Sequence, residues 1–409
     1  GYQSLYSNTT GNYNSAFGFQ SLYNNTIGSN NSAFGIYALL SNTTGVKNVA
    51  VGRSALQGNT IGASNSAFGY RALRYNTIGT NNNAFGQNAL FSNTTGTHNV
   101  AFGRDALSSN AIGTNNCAFG SYALTSNTTG RNSAFGYRAL RLNTTGTHNA
   151  AFGYKTLETN TIGNYNSAFG SLVLASNTTG ARNSAFGYGS MKLNTIGVRN
   201  SAFGYGVMVQ NVSGSNNTAV GFQALYYNTT NDNSAFGYKA LFANTTGTYN
   251  TAVGKSSLAN NTIGIYNTAV GYQTLQLNTT GNGNSAFGTS TLRNNITGTA
   301  NTAVGFDALL NNINNSNSAF GYKSLQQNTT GSANSAFGKD SLKYNTIGAN
   351  NSAFGYRSLF GNTTGINNSA FGYKALTYNT TGSNNTAVGN RSLMSNTFGV
   401  YITALGFRS

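Results

Sequence analysis

A single glycine position constrains the fold of this chain more than any other feature. The glycine recurs every seventeenth residue from Gly18 to Gly406, and only the intervals that end at Gly136, Gly237 and Gly321 are 16 residues long. One repeat reads Asn-Ser-Ala-Phe-Gly-Tyr-x-Ala-Leu-x-x-Asn-Thr-Thr-Gly-x-x. A fixed short period is the signature of a solenoid, in which each coil packs only against its neighbours.

The composition separates this repeat from a disordered or helical one. Charged residues are 7% of the chain, against about 25% in ordinary domains. Disorder is excluded because 25 Tyr and 25 Phe recur on the fixed period. Helix is excluded because two glycines and several β-branched residues fall in nearly every repeat; only Asn231 and Asn315 replace a glycine. We therefore predict an all-β parallel solenoid (β-roll) of about 24 coils, with three short strands in each roughly triangular coil.

The apolar positions of the repeat predict the interior of each coil. One row accepts only Leu or Met, and a second accepts Phe, Val or Leu. Restriction to apolar side chains of similar size is typical of packed interior positions. We therefore predict a core built from two rows, the Leu row (Leu22, Leu39, Leu56, Leu73) and the Phe row (Phe17, Phe34, Phe68).

Two asparagine rows accompany the turns. When identical coils stack, the amides of such rows can hydrogen bond from coil to coil. We predict two asparagine ladders, one through Asn8, Asn25 and Asn42 and the other through Asn14 and Asn31. The first row also opens Asn-Thr-Thr sequences, which are formal N-glycosylation sites.

The Asn-Ser-Ala-Phe-Gly motif and its variant Asn217-Thr218-Ala219-Val220-Gly221 support a comparison with a known family. They resemble the head repeats of YadA-like trimeric autotransporter adhesins and related repeats of phage and bacterial tail-fibre-type proteins. The resemblance covers essentially every repeat, although the known head repeats are typically shorter than 17 residues. It implies a left-handed parallel β-roll, a homotrimer or larger bundle, and an adhesive role at a surface.

The charge of the chain favours anionic partners. The net charge is +17, and many cations fall two residues after the repeated glycine, often directly after Tyr. Such a stripe could bind acidic glycan at a cell surface, or it could be an interchain face with its cations turned outward; we disfavour nucleic acid. The stripe comprises Tyr70, Arg71, Arg138, Lys155, Lys239, Lys323, Arg357, Tyr373, Lys374 and Arg391.

Residues for catalysis or metal binding are scarce. Asp307 and Asp340 share one row but lie two coils apart, and His98 and His148 lie three coils apart. The single cysteine, Cys117, stands where other repeats carry Ser or Thr. We expect no enzyme activity, no cofactor, no metal site and no membrane insertion.

These observations favour a structural function. Residues 1–409 are interpreted as one repeat domain, and its start in mid-repeat at Gly1 suggests a fragment of a longer fibre protein. We expect an extracellular fibre, at a cell or virion surface, that assembles with copies of itself. An adhesin that binds acidic polysaccharide is the alternative. Ice binding, suggested by the Thr row at Thr9 and Thr26, is a minor alternative.

Overall fold

The computed structural model describes all residues from 1 to 409, and every regular element in it is a β-strand. Each coil contributes one three-residue strand, and turns and bends connect it to the next. The prediction of a parallel β-solenoid with a 17-residue repeat is confirmed. The prediction of three strands per coil is wrong, because the two glycine turns leave only the Ser-Ala-Phe segment extended.

The chain forms two compact units, residues 1–202 and 203–409, and the sequence repeat is the same in both. The strands of the first unit are β1 (Ser15–Phe17), β2 (Ser32–Phe34), β3 (Val49–Val51), β4 (Ser66–Phe68), β5 (Asn83–Phe85), β6 (Val100–Phe102), β7 (Cys117–Phe119), β8 (Ser133–Phe135), β9 (Ala150–Phe152), β10 (Ser167–Phe169) and β11 (Ser184–Phe186). The division falls within β12 (Ser201–Phe203).

The second unit continues with strands of the same length. They are β13 (Thr218–Val220), β14 (Ser234–Phe236), β15 (Thr251–Val253), β16 (Thr268–Val270), β17 (Ser285–Phe287), β18 (Thr302–Val304), β19 (Ser318–Phe320), β20 (Ser335–Phe337), β21 (Ser352–Phe354), β22 (Ser369–Phe371), β23 (Thr386–Val388) and β24 (Thr403–Leu405).

Within each unit, consecutive strands pair in parallel and in register. Ser15, Ala16 and Phe17 lie beside Ser32, Ala33 and Phe34, and the same pairing repeats along β1 to β11 and β13 to β24. Neighbouring strands are therefore about 4.8 Å apart. Each residue type forms a straight row along the axis of its unit.

The interior of each coil is filled by the Leu row and by alanine. Leu22, Leu39, Leu56 and Leu73 are fully buried, as predicted. These leucines also have left-handed backbones, with φ near +50°. Side chains with a Cβ adopt that region at a cost of about 1–2 kcal/mol, which the burial of a leucine, about 1.5–3 kcal/mol, offsets.

The interior position predicted for the Phe row is wrong. Phe17 is 64% exposed, Phe34 is 41% exposed and Phe68 is half-buried, whereas the alanine before each of the latter two is fully buried. Successive residues of a strand point to opposite faces, so alanine and phenylalanine cannot both face inward. The buried leucine already occupies much of the interior of the coil. Only the smaller alanine therefore fits inside, and the phenylalanine ring lies outside.

Both glycine rows are needed because coils approach each other closely. A Cβ on Gly35, whose φ is +137°, would lie 2.7 Å from the carbonyl oxygen of Gly52. Gly28 does not have a positive φ, but a Cβ there would collide with the carbonyl oxygen of Gly45 in the next coil and would lie 2.5 Å from Oδ1 of Asn25 in its own coil. Side chains at either row would push the coils apart.

The three shortened coils keep the stack intact by a local exchange of hydrogen-bond acceptors. In a regular coil, Nδ2 of Asn25 donates to the carbonyl oxygen of Gly28 at 2.9 Å. In the shortened coil, Nδ2 of Asn127 donates to the carbonyl oxygen of Thr129 at 2.6 Å. The asparagine row stays hydrogen bonded through two of these coils, from Asn127 to Asn110 at 3.4 Å and from Asn228 to Asn211 at 3.1 Å. It is interrupted at the third, where Oδ1 of Asn295 has no partner.

Candidate functional site

The two asparagine ladders predicted from the sequence are present. Nδ2 of Asn25 donates to Oδ1 of Asn8, and Nδ2 of Asn42 donates to Oδ1 of Asn25, both at 2.7 Å. In the second ladder the backbone N–H of Asn31 donates to Oδ1 of Asn14 at 2.9 Å. Asn25, Asn31 and Asn42 are fully buried, so these ladders are structural elements of the interior.

The ladder geometry bears on the Asn-Thr-Thr glycosylation sites. The amide nitrogen of Asn42 already donates to Asn25 and to the carbonyl oxygen of Gly45. An N-glycan would be attached to this same buried nitrogen. The folded chain therefore cannot carry a glycan at Asn42 without breaking the ladder.

The Thr row has its hydroxyl groups occupied in a similar way. Oγ1 of Thr26 donates to the carbonyl oxygen of Thr43 at 3.1 Å, and Oγ1 of Thr43 donates to that of Thr60 at 3.2 Å. These donors are used between coils. Only the oxygen lone pairs of these hydroxyl groups are left to bind water.

The Phe, Val and Leu side chains at the third position of each strand form a half-buried to exposed row along each unit, which we call the aromatic ribbon. Consecutive rings stack nearly parallel; the centroids of Phe85 and Phe102 are 4.3 Å apart with an interplanar angle of 8°. Because the ring faces are covered by neighbouring rings, mainly ring edges are exposed. None of the 24 strands contains a charged residue, so the ribbon lies on an uncharged sheet face.

A second surface contains most of the charge, and we call it the cationic corner. It is the turn from each repeated glycine to the second residue after Leu, for example residues 69–75. All but four of the 22 Lys and Arg residues lie there; the exceptions are Lys47, Arg131, Arg182 and Arg199. Four of the five acids also lie in this turn, namely Asp105, Glu158, Asp307 and Asp340.

The structure brings the tyrosines and cations of the predicted stripe together. Each cationic group lies over the ring of a tyrosine in its own or the preceding coil, at distances where cation–π attraction is favourable. The pairs are Arg71 with Tyr70 (4.7 Å), Arg138 with Tyr137 (5.0 Å), Lys155 with Tyr154 (5.4 Å), Lys239 with Tyr238 (5.5 Å), Lys323 with Tyr322 (5.1 Å), Arg357 with Tyr356 (5.3 Å), Lys374 with Tyr373 (5.3 Å) and Arg391 with Tyr373 (6.0 Å).

Ion pairs neutralise part of the corner, which sequence reasoning did not detect. Glu158 receives Arg141 at 3.3 Å, Arg138 at 3.6 Å and Lys155 at 3.9 Å. Asp340 is 4% exposed, and Lys343 lies 3.4 Å from it. Arg141 and Glu158 occupy the same position in consecutive coils, five residues after the repeated glycine. The predicted stripe did not include that position.

The pKa of Lys323 lies above its ordinary value. The main cause is the hydrogen bond of this side chain to Tyr322, and Asp307 and Asp340 also favour the charged form. Lys323 is therefore protonated throughout the neutral range, and the cationic corner keeps this charge in mildly alkaline solution.

The residues considered for catalysis are used elsewhere in the structure. Nε2 of His98 lies 3.3 Å from Nδ2 of Asn81, and the ring of His148 stacks on Tyr165 at 4.8 Å. No group of three His, Cys, Asp or Glu residues is placed to hold a metal ion. No helix is long and apolar enough to cross a membrane.

Neither the protein-family models nor the curated proteins include a match to this sequence. The aromatic ribbon and the cationic corner are therefore the features that bear on function.

Proposed function

We propose that this chain is a structural fibre protein of an extracellular appendage, at a cell or virion surface, whose copies assemble side by side. The aromatic ribbon is the observation that supports this proposal most directly. Contiguous exposed apolar surface is rare on soluble monomers and marks interaction sites. Here it runs along the sheet of both units as a direct consequence of the repeat.

The chemistry of the ribbon favours another copy of the chain as the partner. Exposed ring edges and flanking Ser or Thr side chains form a straight, uncharged surface with a period of about 4.8 Å. A second ribbon has the same period and the same lack of charge, so equivalent side chains can pack along its whole length. Covering Phe203, Phe236 and Phe287, which are 38–42% exposed, would remove apolar area from water.

The interior of the coils suits a load-bearing role. Each coil is joined to the next by backbone hydrogen bonds, such as Leu22 N–H to the carbonyl oxygen of Ala38 at 3.0 Å. The asparagine ladders add a second, side-chain connection between the same coils. Stability therefore accumulates along the axis by contacts between neighbours.

Cys117 makes this proposal testable without an introduced reporter residue. It is the first residue of β7, on the outward face beside the ribbon, and it is the only cysteine. Burial raises the pKa of its thiol, so less thiolate is present at a given pH and alkylation is slow. The comparison should therefore be made at alkaline pH, where the thiolate is populated in both states.

We expect the chain to sediment as an oligomer at micromolar concentration, with alkylation of Cys117 slower in the oligomer than after dilution to monomer. The variant Phe85→Thr/Phe102→Thr/Phe119→Thr should be monomeric, because it removes three stacked ribbon rings. The matched control Tyr70→Thr/Tyr137→Thr/Tyr154→Thr removes three rings from the cationic corner and should still assemble. A wild-type chain that stays monomeric, or an assembly indifferent to the ribbon variant, would contradict side-by-side packing through this face.

Binding of acidic polysaccharide is a second candidate function, and the uneven distribution of charge favours it. The cationic corner contains all but four of the Lys and Arg residues, while the strands contain none. Its tyrosine rings are partly covered by cations and by each other, as in the Tyr137–Tyr154 stack at 5.7 Å. The corner therefore favours anionic groups over stacking of neutral sugars.

Retention on a resin of anionic polysaccharide at graded salt tests this second candidate. We expect retention at low ionic strength and release as salt screens the charges. Elution in the void volume at low salt would leave only the structural role.

A further inference from the structure

The cationic corner has one stretch of consecutive coils in which every coil has a net positive charge. It lies in the second unit and contains Lys323, Lys339, Lys343, Arg357, Lys374 and Arg391, which we call the basic run. The only acid between Lys323 and Arg391 is Asp340. Across these five coils the cations are evenly distributed rather than clustered.

Each coil of the basic run carries one net positive charge. Lys323, Arg357, Lys374 and Arg391 are single charges in their coils. The remaining coil holds Lys339, Lys343 and Asp340, and Lys343 lies 3.4 Å from Asp340. Asp340 also lies 3.9 Å from Arg357 of the next coil, so its charge is shared by two cations. Lys339, which is exposed, is the charge of its coil that lies outside these ion pairs.

The backbone holds these charges at a constant spacing. The N–H of Lys374 donates to the carbonyl oxygen of Tyr356 at 2.9 Å, and the N–H of Arg391 donates to that of Tyr373 at 2.8 Å. These bonds keep equivalent residues one coil apart, or about 4.8 Å. Lys323, Arg357, Lys374 and Arg391 therefore share one row with the period of the solenoid, in which Asp340 takes the place of a cation and Lys339 lies one residue before it.

Aromatic rings limit the freedom of the side chains. The cationic group of Lys374 lies 5.3 Å from the centroid of Tyr373, and that of Arg357 lies 4.9 Å from the centroid of Phe360. Side chains that are already held lose less conformational entropy when a ligand binds. The run is therefore an ordered array of charge rather than a set of independent surface lysines.

We propose that the basic run binds a linear acidic polysaccharide that carries one carboxylate per sugar, laid along the axis of the second unit. The length of one sugar in an extended chain is close to the spacing of the coils, so the charges of the ligand and of the basic run share a common repeat. Duplex nucleic acid carries a charge about every 1.7 Å, and only about a third of those charges could be paired here. The inference rests on the second candidate function and does not depend on assembly through the aromatic ribbon.

Binding of a linear polyuronate, with neutral dextran as reference, tests the location and the ligand together. The variant Lys323→Gln/Lys374→Gln/Arg357→Gln/Arg391→Gln removes four of the six cations, and we expect it to weaken binding at low salt by about tenfold or more. The control Lys47→Gln/Arg131→Gln/Arg182→Gln/Arg199→Gln removes the same charge from another corner, in coils of the first unit. It should weaken binding by less than about threefold, by loss of long-range attraction alone.

A gain-of-function variant guards against misfolding as an explanation. Asp340→Asn adds one net charge to the run while preserving side-chain shape, and it should tighten polyuronate binding by about twofold or more. Oligouronates of increasing length should bind more tightly up to at least five sugars, because each sugar meets one further coil.

The possible outcomes distinguish failure of polysaccharide binding as a whole from failure of the basic run as its site. If the wild-type chain binds no polyuronate, both the second candidate function and this inference fail. If it binds but the two quadruple variants weaken binding equally, polysaccharide binding stands and the basic run is not its site. Tighter binding to single-stranded DNA or to anionic vesicles than to polyuronate, with the same dependence on the run, would overturn the choice of ligand.

Discussion

At the scale of single residues, the unusual feature is the number of left-handed backbones. A typical coil places three residues other than glycine there, such as Gln20, Leu22 and Asn30, with φ between +50° and +59°. The leucine is compensated by burial, but the row of Asn30 lies at the surface and gains little in return. That row contains many Asn residues and Gly283, the types for which this conformation costs least.

In this row, replacing alanine with glycine should stabilise the fold, whereas the same substitution usually destabilises a protein. Ala300 and Ala333 occupy it with φ of +55° and +54°. Ala300→Gly and Ala333→Gly should each raise the free energy of unfolding by about 0.5–1 kcal/mol, since glycine adopts this backbone without steric cost. The measurement is chemical denaturation followed by circular dichroism.

Ala63→Gly is the matched control, because Ala63 lies one position earlier in its coil and is not in the left-handed region. It should lower stability by a similar amount. If all three glycine variants were destabilised alike, backbone strain in the Ala300 row would not be a real cost.

At the scale of elements, the asparagine ladder connects coils independently of the strands. Nδ2 of Asn59 donates to Oδ1 of Asn42 at 2.8 Å and to the carbonyl oxygen of Gly62 at 2.9 Å, and its Oδ1 accepts from Asn76 at 2.7 Å. Every polar atom of this buried amide is used. Through this stretch the ladder is therefore a continuous element, although no regular secondary structure describes it.

Removing one amide from the ladder should be costly. Asn59→Ala leaves the partners on Asn42, Gly62 and Asn76 unpaired in the interior, and we expect a loss of about 3 kcal/mol. Hydrogen exchange of the amides in the two adjacent coils should accelerate with it. Asn24→Ala, at an exposed position, should change stability by less than about 0.5 kcal/mol, and an equal effect of both changes would rule out the ladder as a stabilising element.

The features that could be predicted from the sequence are those for which the residue type allows only one environment. A row restricted to Leu or Met had to be inside, and a periodic asparagine row had to pair with itself. The Phe row failed because strict periodicity shows which residues share a face but not which face is inside. The size of the interior decided in favour of Ala33 over Phe34, and that size depends on how the whole coil closes.

The surfaces were predicted only in part. The stripe from Tyr70 to Arg391 was visible because Tyr and a cation are adjacent in sequence. The pairing of Glu158 with Arg138 and of Asp340 with Lys343 was not recognised, since these side chains approach one another only after the turn is folded.

At the scale of the whole molecule, the repeat makes each coil equivalent to its neighbours. The pairing of Val51 with Phe68 is the same in register as that of Phe68 with Phe85. Contacts are made between adjacent coils, so stability is approximately a sum over coils and their interfaces. The chain should consequently tolerate changes of length in units of one repeat.

Deletion of residues 53–69 removes one repeat and joins Gly52 to Tyr70, which preserves the register. We expect the circular dichroism spectrum per residue and the midpoint of thermal unfolding to change little. Deletion of residues 53–60 removes about half a repeat and should abolish hydrogen-exchange protection in the neighbouring coils, because Leu and Asn rows no longer align. Comparable loss of structure in both deletions would contradict coil equivalence.

The asparagine ladder also gives each unit an electrical direction. Where the ladder is continuous, each amide donates toward the lower-numbered coil and accepts from the higher-numbered one. Backbone hydrogen bonds run in both senses, as Leu22 N–H to Ala38 and Gly35 N–H to Phe17 illustrate, and their dipoles largely cancel. The side-chain amides do not cancel; they polarise one another head to tail and orient their negative ends toward the carboxyl-terminal side. Parallel neighbours in a bundle would set these dipoles against each other, whereas antiparallel neighbours would let them attract.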